Sequence, residues 1–394
     1  MSNITIIDAP CGYGKTSWAI EYMNDNEFER FIYITPYLDE VSRIKNDVDR
    51  TFKEPNIKRG KGSKRNDFYN LLTNGEDIAT THSLFKGVDK NVKDEIKDKE
   101  YILILDEVMD VVEQINISKD DINILIERNI IKVNEEGKVY WIDDNYRGEF
   151  IKYKKSISNG DVYLHNGAMI LWTFPCDIFN SFKEVYILTY MFKGQIQAYY
   201  YDLNKLKYEY KSVENIDNKY KLTSYKKING EKYKDLITIY DGKLNEVGKG
   251  NSLTKKWYTQ ASKKVAMRKL KSCTYNYFNN IITGKANDNM WTTFKDYKNE
   301  CKGNGYTKGF VECNVRATNE YKHKTNLAYL INRYYNPMIE QFFTQRKVSI
   351  DRDTYALSEL IQWMFRSAIR ENKPINIYIP SERMRRLLQE WLGN

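Results

Sequence analysis

Cysteine and histidine are scarce in this chain, five and three among 394 residues, and neither is clustered. Cys11, Cys176, Cys273, Cys301 and Cys313 leave an odd thiol and no pair at zinc-ligand spacing, which argues against a disulfide-stapled scaffold and against a Cys-based metal site. His82, His165 and His323 are too far apart in sequence for a His-rich tract. No leader peptide is legible and no apolar run is long enough to cross a bilayer, so the expectation is a reduced, cytoplasmic protein with no membrane partner. Charge of one sign is also in short supply. Lys and Arg total 62 against 53 Asp and Glu, and the net +9 favours a polyanionic partner only mildly.

Tyrosine, by contrast, is abundant, with 32 copies. Clusters such as Tyr199-Tyr200-Tyr201, Tyr275 with Tyr277 and Phe278, and Tyr334-Tyr335 read either as stacking platforms for single-stranded bases or as strand and interface packing. The excess of Lys, Asn, Ile and Tyr is that of AT-rich coding, as in a low-GC bacterium or its phage.

The densest signal lies at the start. Ile4-Thr5-Ile6-Ile7-Asp8 reads as a strand that breaks into Ala9-Pro10-Cys11-Gly12-Tyr13-Gly14-Lys15-Thr16. Two glycines allow the backbone to turn its N–H groups inward as an anion nest, Lys15 reaches phosphate oxygens and Thr16 offers a hydroxyl to Mg²⁺. Trp18, Ala19, Tyr22 and Met23 then recur at the spacing of a helix face packed on a sheet. Further on, Tyr101-Ile102-Leu103-Ile104-Leu105 reads as a strand buried on both faces that ends in Asp106-Glu107, where a doubly wound sheet places its chemistry. Asp106 suits the Mg²⁺ water shell, and Glu107 the water that attacks a γ-phosphate.

These two segments resemble motifs I and II of superfamily 2 (DEAD/DEAH-like) helicases, Ala-x-x-Gly-x-Gly-Lys-Thr and Asp-Glu-x-x. The resemblance implies ATP and Mg²⁺ as cofactors, with Gly12, Tyr13, Gly14, Lys15, Thr16 and Asp106 around the nucleotide and Thr16 and Asp106 serving the metal. Thr35-Pro36, after Phe31-Ile32-Tyr33-Ile34, stands where the family has motif Ia, and Thr80, Thr81 and His82 stand where it has motif Ic. Both imply contacts to a nucleic-acid phosphate. Phe310 to Asn319 reads as a strand into a polar turn at the place of motif V, where Arg316, Thr318 and Asn319 would face nucleic acid or the nucleotide. Gln362, Arg366 and Arg370 repeat every four positions, which lines them on one helix face. They resemble motif VI, with Phe365 in place of its glycine and Arg370 one residue late. The implied roles are a nucleotide or water sensor for Gln362 and γ-phosphate fingers for the two arginines; a solvated basic face is the other reading. Motif III is reduced to Thr189, after Val185-Tyr186-Ile187-Leu188. The resemblance therefore implies ATP hydrolysis more directly than strand separation.

The expected architecture is α/β, with two RecA-like parallel-sheet domains carrying helical and hairpin insertions. The first domain spans 1–193, with an insertion at about 112–165 that holds a helix from Ser118 to Ile131 and a hairpin around Asn134-Glu135-Glu136-Gly137. A polar connection covers 194–234, most flexible from Glu214 to Lys234, and the second domain spans 235–394. Within it, about 252–305 forms an insertion whose long helix, Leu253 to Asn279, carries Lys263, Lys264 and Arg268 as candidate backbone-gripping cations or as solvated surface. The strand Pro374 to Pro380 and a final helix capped by Ser381 close the chain.

Together these expectations describe an ATP-dependent helicase or translocase of a small phage-encoded kind, acting in phage replication or recombination on single-stranded or forked DNA in preference to RNA. A replication or host protein is a further candidate partner. A helicase-shaped, catalytically weak clamp or host-protein-binding factor stays open because motif III is so altered. A kinase would need an Arg-rich lid, and a packaging ATPase an acidic nuclease cluster; neither is present.

Overall fold

The structure is a computed structural model, and it describes residues 3–158, 162–167, 169–260, 264–313 and 320–393. The chain opens with β1 (Asn3–Asp8), β2 (Phe31–Thr35), β3 (Ile78–Thr81) and β4 (Ile102–Asp106). It then leaves the main sheet for an insertion made of β5 (Val112–Ile115), β6 (Ile131–Val133), β7 (Val139–Trp141), β8 (Val162–His165) and β9 (Met169–Thr173). It returns as β10 (Glu184–Thr189), β11 (Tyr208–Ile216) and β12 (Lys219–Ser224).

Hydrogen bonding orders the first sheet β12-β11-β1-β10-β4-β2-β3, parallel throughout except for the β11–β12 hairpin at one edge. Helices cover both faces, which is why β2 and β4 read as unbroken apolar runs: Phe31 to Ile34 and Ile102 to Leu105 are buried at every position. The hairpin is the first departure from expectation. The stretch expected to be most flexible, from Glu214, is instead sheet, because Asp217 and Asn218 both adopt positive φ, 56° and 60°, and make the two-residue turn that joins strands of matching twist.

The insertion has its own small core, with Ile122, Leu125, Ile131, Val139, Ile157 and Val162 buried together. Its helix runs Lys119–Glu127, capped by Ser118, and β6 and β7 form the expected hairpin. The antiparallel sheet β5-β9-β8 ties it back to the first lobe at Thr173.

The second lobe is a four-stranded parallel sheet ordered β13-β16-β15-β14, from β13 (Ile237–Ile239), β14 (Asn289–Thr292), β15 (Asn326–Tyr329) and β16 (Ile375–Tyr378). Its last helix, Glu382–Trp391, is capped by the Ser381 hydroxyl and buries Met384, Leu387, Leu388 and Trp391. Phe310 to Cys313, expected as a strand, contributes only a bridge between Phe310 and Trp291. The expected long helix is two: Lys255–Thr259 ends where Gln260 turns extended, and a second runs Lys264–Asn276.

The lobes are interlocked. Tyr335, Phe342 and Phe343 lie beyond β15 in sequence, yet they are buried in the apolar core of the first lobe. The helix Pro337–Gln345 thus packs on the first lobe before the chain returns through the helix Arg352–Met364, whose Ala356, Leu360 and Trp363 lie in the second-lobe core. Tyr199 holds this crossing, with its ring 5.9 Å from both Tyr335 and Phe343, while its hydroxyl accepts from the Asp351 N–H at 2.8 Å.

Candidate nucleotide site between the lobes

At the end of β1 the backbone folds over the start of the helix Lys15–Asp25. Gly12 and Gly14 take φ of 83° and 85°, which L side chains rarely adopt, and Gly14 is the residue that starts the helix. The Ala9 N–H donates to the Thr189 carbonyl at 3.0 Å, so the loop is anchored to the end of β10. Trp18, Ala19 and Met23 press the helix onto the sheet, while Tyr22 is half-buried and donates to Glu184 Oε2 at 2.8 Å. The Lys15 side chain is largely buried, and its ammonium donates to the carbonyls of Ala9 and Pro10, the latter at 3.0 Å.

Opposite the loop, β4 delivers its two carboxylates. Asp106 accepts a hydrogen bond from the buried Tyr33 hydroxyl at 2.9 Å. Burial, reinforced by the neighbouring Glu107 charge, pushes the Asp106 carboxyl up to about 6. Glu107 sits at φ 66° with its N–H held by the Leu188 carbonyl at 2.9 Å, a strained conformation for a residue with a Cβ. Its Oε2 is buried with no hydrogen-bond partner among the described residues. An unpartnered buried carboxylate oxygen beside a second carboxylate is an arrangement that a cation or an ordered water relieves.

Lys15, Thr16, Asp106, Glu107, Arg366 and Arg370 line one cavity of about 240 Å³. The first four come from the first lobe and the two arginines from the second. Arg366 and Arg370 are not on one helix face, however. The helix Arg352–Met364 is capped at Phe365, Arg366 lies in the following turn, and Arg370 sits on the short 3₁₀ helix Ala368–Glu371. Phe365 explains the break: its ring is buried 5.0 Å from Tyr233 and 6.4 Å from Trp391, where the motif's glycine would leave a hole. Gln362 is buried, lies outside the cavity lining, and its Nε2 has no partner among the described residues.

Other expected residues are placed differently. The Tyr13 side chain turns away from the cavity towards the second lobe, with Lys232 Nζ 4.0 Å from its ring centre. Thr35, the last residue of β2, and Thr80, one residue before the end of β3, are both buried. Thr81 is half-buried at the end of β3. Pro36 and His82 do open onto a second interlobe cleft of about 550 Å³, which Arg333 and Glu359 reach from the other lobe as a 3.0 Å ion pair. His82 Nε2 also lies 3.2 Å from the Asp106 carbonyl and so couples this cleft to the carboxylates. Lys264 and Arg268 are exposed on their helix. Lys263, Arg316, Thr318 and Asn319 lie outside the described residues.

Sequence reading missed Glu40, Arg43 and Tyr220, which also line this cavity. The Glu40–Arg43 pair had no signal beyond an ordinary i, i+3 spacing. Tyr220 lies in the stretch expected to be a polar connection.

The middle domain of the YonV family matches residues 112–172, and the family's C-terminal Rossmann-like domain matches residues 231–392. The SPβ prophage-derived protein YonV of Bacillus subtilis (strain 168) is 44% identical over 411 residues, with 100% of both chains covered. The chain belongs to the YonV family. Among solved structures, XPD in its apo form superimposes with a TM-score of 0.54 at 12% identity, covering 100% of this chain and 95% of that one. An XPD helicase gives 0.51 at 11%, covering 98% and 94%. At such identities the likeness is one of fold, and the fold shared with these YonV-family lobes is mixed α/β with parallel sheets and helical insertions. Among the described residues no helix is long and apolar enough to cross a membrane, and no cluster of three or more His, Cys, Asp or Glu is arranged for a metal ion.

Proposed function

We propose that this YonV-family protein is an ATP-dependent nucleic-acid motor, a helicase or translocase acting on DNA for a phage. The observation that carries the reading is the cavity that brings Lys15, Thr16, Asp106 and Glu107 of one lobe against Arg366 and Arg370 of the other. The fold shared with XPD and the prophage origin of the relative support it.

In this reading Lys15 leaves its carbonyl partners for the terminal phosphates, and the N–H groups released by the left-handed Gly12 and Gly14 face the charge. Thr16 and Asp106 are the residues that would hold Mg²⁺, and the unpartnered Glu107 oxygen beside them fits that donor set. When bound, the ion neutralises charge on the phosphate oxygens. Glu107, fixed by its backbone bond to Leu188, orients the attacking water and accepts its proton. Arg366 and Arg370 meet the charge that spreads over the γ-phosphoryl group, and so couple hydrolysis to the position of the second lobe. The cleft holding Pro36 and His82, hydrogen-bonded to the Asp106 backbone, is the proposed path for the strand. The test is the ATPase rate measured in parallel without nucleic acid and with single-stranded DNA, duplex DNA and RNA. Stimulation by single-stranded DNA is the expected result. Turnover indifferent to all three would favour a nucleotide-dependent clamp instead.

A further inference from the structure

The groups described so far account for the phosphate end of a nucleotide and leave its nucleoside end without a partner. Strand order gives the direction of that end. Counting from β1, Asp106 ends the second strand on one side, β4, whereas the second strand on the other side is β12. A triphosphate that runs from Asp106 and the arginines across the loop therefore points its nucleoside towards β12. There the same cavity is lined by Tyr220.

Tyr220 is held in a fixed place. It follows the tight Asp217-Asn218 turn, and its N–H donates to Glu21 Oε2 on the helix Lys15–Asp25 at 2.7 Å. Its ring lies directly against the loop: a Cβ added at Gly14 would come within 2.0 Å of Tyr220 Cε1. The residue is half-buried. One edge of the ring is thus seated on the phosphate loop while part of it remains open to the cavity. We propose that Tyr220 is the platform on which the base of the bound nucleoside triphosphate stacks, an inference that rests on the nucleotide-site reading above. Recognition is through the face of the base, which every base possesses, and the rigid two-torsion side chain loses little freedom in making it. Gly14 belongs to the same device. Besides its positive φ, it is the position where a side chain would displace the ring.

The experiment measures the affinity of ATP and of inorganic tripolyphosphate, each by competition with a fluorescent ATP analogue, for the parent, Tyr220→Phe, Tyr220→Leu and Tyr220→Ala. Tyr220→Leu keeps apolar bulk against Gly14, so that loss of a stacking face is separated from collapse of the hairpin. The expected result is weaker ATP binding by on the order of 10- to 100-fold for the Leu and Ala variants, parental binding for Phe, and tripolyphosphate affinity unchanged in all. Parental ATP affinity in Tyr220→Leu overturns the inference, as does an equal loss of ATP and tripolyphosphate, which would make the ring a mere prop for the loop. A parent that binds tripolyphosphate as well as ATP overturns it too, while leaving the phosphate site standing. A parent that binds neither overturns the nucleotide reading itself.

Discussion

Single side chains in this protein carry charge where solvent is scarce, and three of them yield direct tests. The Lys15 ammonium donates to two loop carbonyls, and in the proposed reading it exchanges them for phosphate. On that reading Lys15→Ala should abolish ATP hydrolysis while changing the unfolding free energy by only about 1 to 3 kcal/mol, the scale of the hydrogen bonds a charged group makes; Glu107→Gln should instead keep the nucleotide bound and lose turnover. Turnover and equilibrium unfolding measured on the same samples check both. Asp8, the last residue of β1, gives a pH test. It accepts from the Met191 N–H at 2.6 Å and the Tyr225 hydroxyl at 3.3 Å, yet burial dominates and raises its carboxyl from 3.8 to about 6. Between about pH 4 and 6 the folded chain holds a proton there that the unfolded chain has released. The contribution of Asp8 to stability therefore falls as pH rises through that window and is level above it. Relative to the parent, Asp8→Asn should gain on the order of 2 kcal/mol from pH 4 to 6 in denaturant titrations, whatever its fixed offset. A difference independent of pH would contradict the assignment.

At the scale of elements, the clearest case is the helix Lys264–Asn276. Leu270 and Cys273 are buried beneath it, while Lys264, Arg268 and Lys271 are exposed at three- and four-residue steps along one side. Replacing these three by Gln should weaken DNA binding across all sequences and flatten the salt dependence by about 0.7 to 0.9 in slope for each phosphate left without its cation. Fluorescence anisotropy at several salt concentrations reads both quantities, and unchanged values would leave the helix a solvated surface. The same elements explain which parts of the fold were legible. β1, β4 and the glycine loop were plain because an apolar run ending in phosphate or carboxylate chemistry has few other uses. The β11–β12 hairpin was not, since Lys, Glu and Asn crowd its exposed edge. Its true signal was the Asp217-Asn218 pair between two short runs that carry alternating tyrosines, Tyr208 and Tyr210, and alternating Tyr220 and Leu222. The regular spacing of Gln362, Arg366 and Arg370 suggested a helix face, but the Phe365 ring is drawn into the core and ends the helix at Met364. The two arginines reach the cavity all the same, by a turn that no periodicity announces.

On the scale of the whole molecule, the site exists only because two lobes meet. Arginines that act across such a junction stabilise the transition state more than bound ATP, since closure and charge development coincide. Arg366→Ala or Arg370→Ala should lower DNA-stimulated turnover by on the order of 10²-fold or more in at least one case, with ATP affinity changed far less, and Lys should not restore it fully because an ammonium lacks the planar fork. Parental turnover in both variants would remove the main support for a motor. The crossing of Tyr335, Phe342 and Phe343 into the first-lobe core bears on how the two lobes can be taken apart. Severing the exposed stretch around Lys227, between β12 and the second lobe, would not yield two free fragments, because the C-terminal piece keeps three aromatic rings in the core of the N-terminal one. Trypsin-nicked protein should elute from a native sizing column at its uncut position and fall into two pieces only in denaturant. The lobes are clasped like the two halves of a buckle, not strung like beads on a thread.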